Sequence, residues 1–270
     1  MIYFLIVAVI IATAYFTGKI NLALKFAGQV ANLFAQSGNV SDKKFRYKQI
    51  EGLPEPVQRY FKHVLKEGQP YINYIRLKHD GQFKTNLKKA WVNIEGEQYF
   101  TTEEPGFIWK GETSLFVARD MYIAGRGRLI ATILSLINVA DVKGPSYNQG
   151  ELLRWLSESV WFPTNYLPGN NMQWTGIDNL SAKLTFHYNG LELFYIVTFN
   201  EIGEIVQLET KRYMDEESLQ SWVVNLSEYE EINDIIIPTK AEVFWRLKEG
   251  DFSYAKFQVR TIEYNIPEKF

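Results

Sequence analysis

No cysteine occurs in the 270 residues. That excludes disulfides, thiolate metal sites, a cysteine nucleophile and lipid attachment through an N-terminal cysteine. A cysteine-free chain suits either side of a membrane, so this absence does not locate it. Charge of one sign is also lacking. The formal net charge is −2, so no global field draws the chain to nucleic acid. Histidine is scarce: His63, His79 and His187 stand far apart and form no HExxH or related ligand spacing, so no metal site is expected. The G-x-S-x-G elbow of α/β-hydrolases is missing, and Gly125-x-Gly127 is too short a pattern to indicate a nucleotide. No cofactor is implied.

Apolar residues are plentiful instead. Hydrophobic residues make up 46% of the chain and aromatic ones 15%, enough for a substantial core. The aromatic share favours strands, because flat rings pack well on pleated, half-buried surfaces. Ile2–Phe16 carries no charge, and Thr17 and Gly18 extend the run to about the lower limit for a bilayer span. An uncleaved membrane anchor is expected. A signal peptide competes, with Ala12-Thr13-Ala14 as a small-residue pattern but no Lys or Arg before the apolar run; a buried core helix is the third reading. Leu22, Leu24, Phe26, Val30, Leu33 and Phe34 recur at an imperfect helical period, which predicts an interfacial helix lying on the bilayer and an anchor unit over residues 1–36. Lys19, Lys25, Lys43, Lys44, Arg46 and Lys48 all follow the span, so the positive-inside rule places a single-pass protein's domain in the cytoplasm. A signal peptide would place it outside.

Residues 37–49 are polar and basic and read as a linker, leaving 50–270 as the main domain. Leu53-Pro54 opens a helix striped by Val57, Tyr60, Phe61, Val64 and Leu65. From Tyr71 the period changes to two, with Asp80-Gly81 and Glu95-Gly96 suggesting hairpin turns through about Ala124. Leu180 to Tyr188 alternates cleanly, Asn189-Gly190 offers a type I′ turn, and four or five further runs continue the meander to Tyr264. Leu129–Asn138 and Gly150–Trp161 read as helical interruptions. The expected fold class is therefore α+β, mostly antiparallel: a strongly curved sheet or half-barrel of about ten strands wrapped around short helices, preceded by a membrane helix. This architecture resembles the half-barrels of bacterial lipoprotein carriers, a likeness of fold that carries no motif.

One segment, Gln149–Thr164 (QGELLRWLSESVWFPT), concentrates charge and tryptophan in a β-rich chain. At about 100° per residue, Leu152, Leu153, Leu156 and Val160 share one side, while Glu151, Arg154, Trp155 and Glu158 fall on the other. Glu151–Arg154 and Arg154–Glu158 have i,i+3 and i,i+4 spacing, so one guanidinium can bridge two carboxylates. On a solvated face such pairs are structural. Desolvated inside a curved sheet, the carboxylates would serve as acid, base or polar anchor.

This segment, with Tyr166-Leu167-Pro168, Trp174, Ile177-Asp178 and Ser181-Ala182, resembles a family of uncharacterised bacterial membrane-associated proteins grouped as a domain of unknown function. The likeness extends to Leu53–Leu65, Gln98–Gly111 and Arg119–Gly127, and so over most of residues 50–265. Glu151, Arg154, Glu158 and Asp178 match the family pattern, and Trp155 varies an aromatic position. The family carries no established activity to transfer.

The candidate ligand-binding residues are thus Glu151, Arg154, Trp155, Glu158 and Asp178, together with Arg119 and Arg126, whose cluster suits a phosphate or carboxylate headgroup or else a solvated strand face. The leading functional reading is a membrane-anchored protein that binds a lipid or other hydrophobic small molecule on the concave sheet, which would make the membrane and that ligand its partners. An enzyme using Glu151 or Glu158 as acid–base is an alternative from another class. A scaffold with a filled core and an exposed apolar patch is the third.

Overall fold

Strands that alternate apolar with polar residues and follow one another through short turns pair antiparallel. In the computed structural model, which describes residues 1–270, this produces one open antiparallel sheet of thirteen strands. The chain begins with helix α1 (Ile2–Ala35) and a short helix α2 (Glu55–Val64), the latter opened by Pro54. Six strands follow: β1 (Tyr74–Phe83), β2 (Val92–Thr101), β3 (Gly106–Glu112), β4 (Phe116–Ile123), β5 (Arg126–Ile133) and β6 (Ile137–Lys143). Helix α3 (Pro145–Glu158) and two 3-10 turns (Ser159–Trp161 and Pro163–Tyr166) then interrupt the sheet. Seven strands complete it: β7 (Met172–Gly176), β8 (Ser181–Tyr188), β9 (Leu191–Phe199), β10 (Ile205–Tyr213), β11 (Leu219–Ile232), β12 (Ile235–Leu247) and β13 (Gly250–Tyr264).

The spatial order is β6-β5-β4-β3-β2-β1-β13-β12-β11-β10-β9-β8-β7. Every neighbour in space is a neighbour in sequence except β1 and β13, which pair from Ile75–Tyr264 to Phe83–Ala255. The two free edges, β6 and β7, are therefore consecutive in the chain, and α3 with its 3-10 turns is the segment that crosses between them. Helix α3 touches β3, β4 and β5 from one half and β9 and β10 from the other. Those strands are far apart in the sheet order, so the sheet must curl around the helix. The main core lies on this concave side and includes Leu152, Leu153, Trp155 and Leu156 of α3.

A second, smaller core occupies the convex side. Phe26, Val30, Leu33 and Phe34 of α1 pack on Tyr74, Tyr99, Ile108, Met121 and Ile130, which point outward from β1 to β5. The expected interfacial helix is thus corrected. Residues 22–34 continue α1 without a break and bury Phe26, Val30, Leu33 and Phe34 against a matching outward stripe of the sheet, while Leu24 stays exposed. Residues 37–49 are also packed down: Phe45 is fully buried, and its N–H donates to the Gln69 carbonyl at 2.7 Å.

Three other expectations change. Leu129–Asn138 is not helical but forms most of the β5–β6 hairpin, with Ile133 opposite Ile137. A short apolar run suits either structure, and here pairing with β4 decides it. That hairpin and β7 raise the count from ten strands to thirteen. Asp80-Gly81 and Glu95-Gly96 are not turns; they face each other in mid-strand, Asp80 opposite Glu95. Gly96 is needed there for space, because a methyl group at its position would overlap the His79 imidazole. The I′ turn stands where expected, with φ of 49° at Asn189 and 75° at Gly190.

Candidate ligand cavity

Four small residues on the concave face, Ala118, Ala131, Ala241 and Ala255, leave space that larger side chains would fill. The result is a cavity of about 490 Å³ between α3 and both halves of the sheet, within the usual range for small-molecule sites. Of its 27 lining residues, 20 are hydrophobic, so most of the wall can only offer apolar contact. Its polar lining is concentrated where α3 meets β4 and β10: Asp120, Tyr147, Glu151, Arg154, Glu158 and Arg212.

These residues form one buried ion cluster. Pro145 in the first turn starts α3, and four leucine and tryptophan side chains clamp it against the core. That fixes Arg154, whose Nε donates to Glu158 Oε1 at 2.9 Å and whose Nη1 donates to Asp120 Oδ2 at 2.6 Å. Its guanidinium also lies over the Phe107 and Trp109 rings, 4.9 and 5.1 Å from their centroids. Gln98 Nε2 donates to Glu158 Oε2 at 2.7 Å, and the Tyr147 hydroxyl donates to Asp120 Oδ1 at 2.8 Å. Across the cavity, Arg212 Nη2 donates to Glu151 Oε1 at 2.7 Å while its guanidinium covers Trp222 at 4.6 Å.

Three carboxylates thus share two guanidiniums in a site of low dielectric. Fully ionised, the group would carry one excess negative charge, and burying an uncompensated charge is strongly unfavourable. Burial pushes the Glu151 carboxyl well above its usual range; the Asp120 charge adds to this, and Arg212 and Arg154 oppose it. Burial also raises Glu158, against the pull of Arg154. Burial works against the charge on Arg154 and on Arg212, yet the surrounding carboxylates outweigh it and hold both guanidiniums protonated. One proton on Glu151 makes the cluster neutral. Glu151 is fully buried; its Oε2 has no partner while the carboxyl is ionised, and once protonated the carboxyl hydrogen-bonds to Asp120, which helps to raise it. Glu151 and Asp120 both line the cavity, so a ligand's polar group can exchange hydrogen bonds with this carboxyl pair.

The concave face holds one more buried polar pair. Trp109 Nε1 donates to His79 Nε2 at 2.8 Å, which requires that nitrogen unprotonated. Burial pushes the His79 pKa down to about 4.

Of the residues expected from sequence, Glu151, Arg154 and Glu158 come together here. The Arg154–Glu158 pair forms, whereas Glu151 turns to Arg212 instead of Arg154. Trp155 points away from the cavity; its Nε1 donates to the Thr101 carbonyl at 2.9 Å and its ring lies 5.5 Å from Phe186. Arg119 sits on the convex side, donating to Gln29 Oε1 of α1 at 2.7 Å. Arg126 is exposed beside the β4–β5 turn. Asp178 is exposed in the β7–β8 turn, accepting from the Leu180 N–H at 2.8 Å. Sequence reading missed Asp120, Arg212, Gln98 and Tyr147 as members of the site. A signal existed for Asp120 and Arg212: each extends an inward alternation, Ala118-x-Asp120-x-Tyr122 and Leu208-x-Thr210-x-Arg212.

The profile of a family described as "Family of unknown function (DUF6544)" matches residues 43–257. No curated protein matches the sequence. Among solved structures, a LolA superfamily protein from Nitrosomonas europaea is similar at 9% identity and a TM-score of 0.42, covering 77% of this chain and 91% of that one. A putative outer membrane lipoprotein-sorting protein domain from Vibrio parahaemolyticus is similar at 8% identity and a TM-score of 0.43, covering 79% and 92%. The matched span takes in the sheet from β1 into β13 and all of the ion cluster, and the chain belongs to this family of unknown function, DUF6544.

Proposed function

We propose that this protein is held to a membrane by α1 and binds a lipid or other amphipathic small molecule in its concave cavity. One observation carries the reading: the cavity of about 490 Å³ has a wall dominated by hydrophobic residues and a polar cluster that includes the fully buried Glu151 carboxyl. An apolar tail gains about 25 cal/mol per Å² removed from water along such a wall. The polar group of the ligand meets the cluster at Glu151. Both guanidiniums are already engaged by carboxyl groups, so the cluster has no spare cation for a further anion such as a fatty-acid carboxylate and favours a hydroxyl, amide or amine. Helix α1 supports the attachment, being long and apolar enough to cross a bilayer, a property it shares with signal sequences. The six basic residues after its apolar stretch support the cytoplasmic side.

Native mass spectrometry of the full chain released from detergent tests this. The expected result is a bound species of lipid mass on the wild type, reduced about tenfold or more in Ala241→Phe, whose ring projects into the cavity and takes up part of its space. Repeated preparations with no bound species, or equal occupancy in the Phe variant, would reject the reading.

A further inference from the structure

The turns β1–β2, β3–β4 and β5–β6 lie at one end of the first half of the sheet, because consecutive antiparallel strands turn at alternate ends. Their tips are unusually apolar for exposed turns. Leu87, Leu115, Leu134 and Leu136 are between 49 and 69% exposed. The β5–β6 turn is also strained, with φ of 51° at Leu134 and 60° at Ser135. Positive φ at two successive positions is normally given to Asn-Gly, as this chain itself does at Asn189-Gly190. A leucine held in that conformation, with its side chain in water, is a local conflict that points to a role for the exposed side chain.

Helix α1 runs to the same end. Near its C-terminus Phe34 packs on Tyr74 at the start of β1, ring centroids 5.3 Å apart. About 22 Å back along the axis, Lys19 lies 3.6 Å from Glu112 at the end of β3. At Gly18 the helix meets the β5–β6 tip so closely that a methyl group there would lie 2.7 Å from Leu136 Cδ2 and from the Ser135 carbonyl. Residues 2–17 therefore project beyond the sheet at this end, with their apolar side chains exposed. They measure roughly 24 Å, less than the roughly 30 Å hydrocarbon core, so a bilayer containing them must reach the turns. The β1–β2 turn adds Lys84, Lys88 and Lys89 to Leu87 and Trp91, the mixture of cations and apolar anchors that suits an anionic lipid surface. The cavity opens here as well: Phe83, Phe116, Ile133 and Val139 line it, and the last two are exposed.

We infer that the end of the sheet carrying these three turns is a membrane-docking face, which sets the mouth of the cavity against the bilayer that α1 enters. The inference rests on the reading of α1 as an anchor and deepens the proposed lipid binding. It gives the ligand a route between bilayer and cavity that bypasses water.

Because the chain has no cysteine, single labelling sites can be introduced into the full-length protein. An environment-sensitive fluorophore would be attached to Phe4→Cys, Leu136→Cys or Asp178→Cys in vesicles of phosphatidylcholine and phosphatidylglycerol containing spin-labelled quencher lipids. Asp178 serves as the reference because its turn lies beside Arg59 of α2, away from the docking face. The expected result is quenching at 4 and at 136 and none at 178. Quenching at 4 with 136 behaving like 178 would overturn the docking face and leave the anchor standing; no quenching at 4 would overturn both. In a second measurement, Leu134→Asp combined with Leu136→Asp should slow uptake of a fluorescent lipid from these vesicles roughly tenfold. The same variant should retain wild-type binding of that lipid delivered in detergent. An unchanged uptake rate in the folded variant would overturn the route, and lost binding in detergent would assign these leucines to the cavity instead.

Discussion

The two faces of β2 to β5 bury polar groups by different means. On the concave face, Asp120, Glu151, Glu158, Arg154 and Arg212 converge from β4, α3 and β10, and each carboxyl group meets a guanidinium. On the convex face, Arg119 meets only the neutral amide of Gln29, and its Nε has no partner. The residues responsible, Arg119 and Asp120, are adjacent in the chain. A strand sends successive side chains to opposite faces, so one peptide bond separates a charge under α1 from a charge under α3. The lesson is that burial depends on how many elements can bring compensating groups to one point. Three do so on the concave side and two on the convex side.

Truncating an arginine on each face sharpens this contrast most. Arg154→Ala leaves Asp120 and Glu158 buried without their shared cation, and should cost about 3–5 kcal/mol in denaturant unfolding at neutral pH. Arg119→Ala removes one neutral-acceptor contact together with an awkwardly buried charge, and should cost about 1 kcal/mol. Equal costs would abolish the distinction between the faces.

Acid should act next, through His79. Its pKa falls from 6.5 unfolded to about 4 folded, so the unfolded chain binds the proton more tightly. The stabilisation is complete above about pH 6.5 and is lost as pH falls towards 4, by about 3 kcal/mol at pH 4. Unfolding free energies of wild type and His79→Gln, compared from pH 7 to 4, isolate this from the carboxylates. The difference between them should shift by that amount, and a flat difference would mean that His79 is solvated.

The smallest effect concerns charge balance. A carboxyl whose folded pKa is raised favours the folded state at low pH and penalises it as pH climbs past its unfolded value. Glu151→Gln removes that penalty and leaves two carboxylates for two guanidiniums. The variant should therefore gain on the wild type as pH rises from 5 to 8, by on the order of 1 kcal/mol. A loss that grows with pH would show that Glu151 is ionised and serves as the working counter-ion of Arg212.

Much of this arrangement is legible in the sequence. Period-two runs from Leu180 to Tyr264, the Asn189-Gly190 turn and the two-sided wheel of Glu151–Trp161 led to a curved antiparallel sheet around a charged helix. Leu129–Asn138 misled because LIATILSLIN alternates imperfectly, and short apolar runs do not separate helix from strand. Trp155 misled because it sits 100° from Arg154 on the helix, close enough to share a coarse face and far enough to enter the core. The partnership of Glu151 with Arg212 lay beyond local reading, because 61 residues separate them.

What the sequence determined by itself were the features set by neighbouring residues: the apolar stretch of α1, the antiparallel meander, and the spacing that places Arg154 beside Glu158. Each depends on a period or an offset of a few positions, which covalent geometry translates directly into a face. The tertiary structure decided which faces look inward. Closing β1 onto β13 curls the sheet around α3, and that curvature turns Asp120 and Arg212 towards Glu151, leaves an apolar cavity above four alanines, and aligns α1 with the turns at its mouth. These contacts join residues tens to more than a hundred positions apart, and their energies exist only once the intervening chain has been ordered.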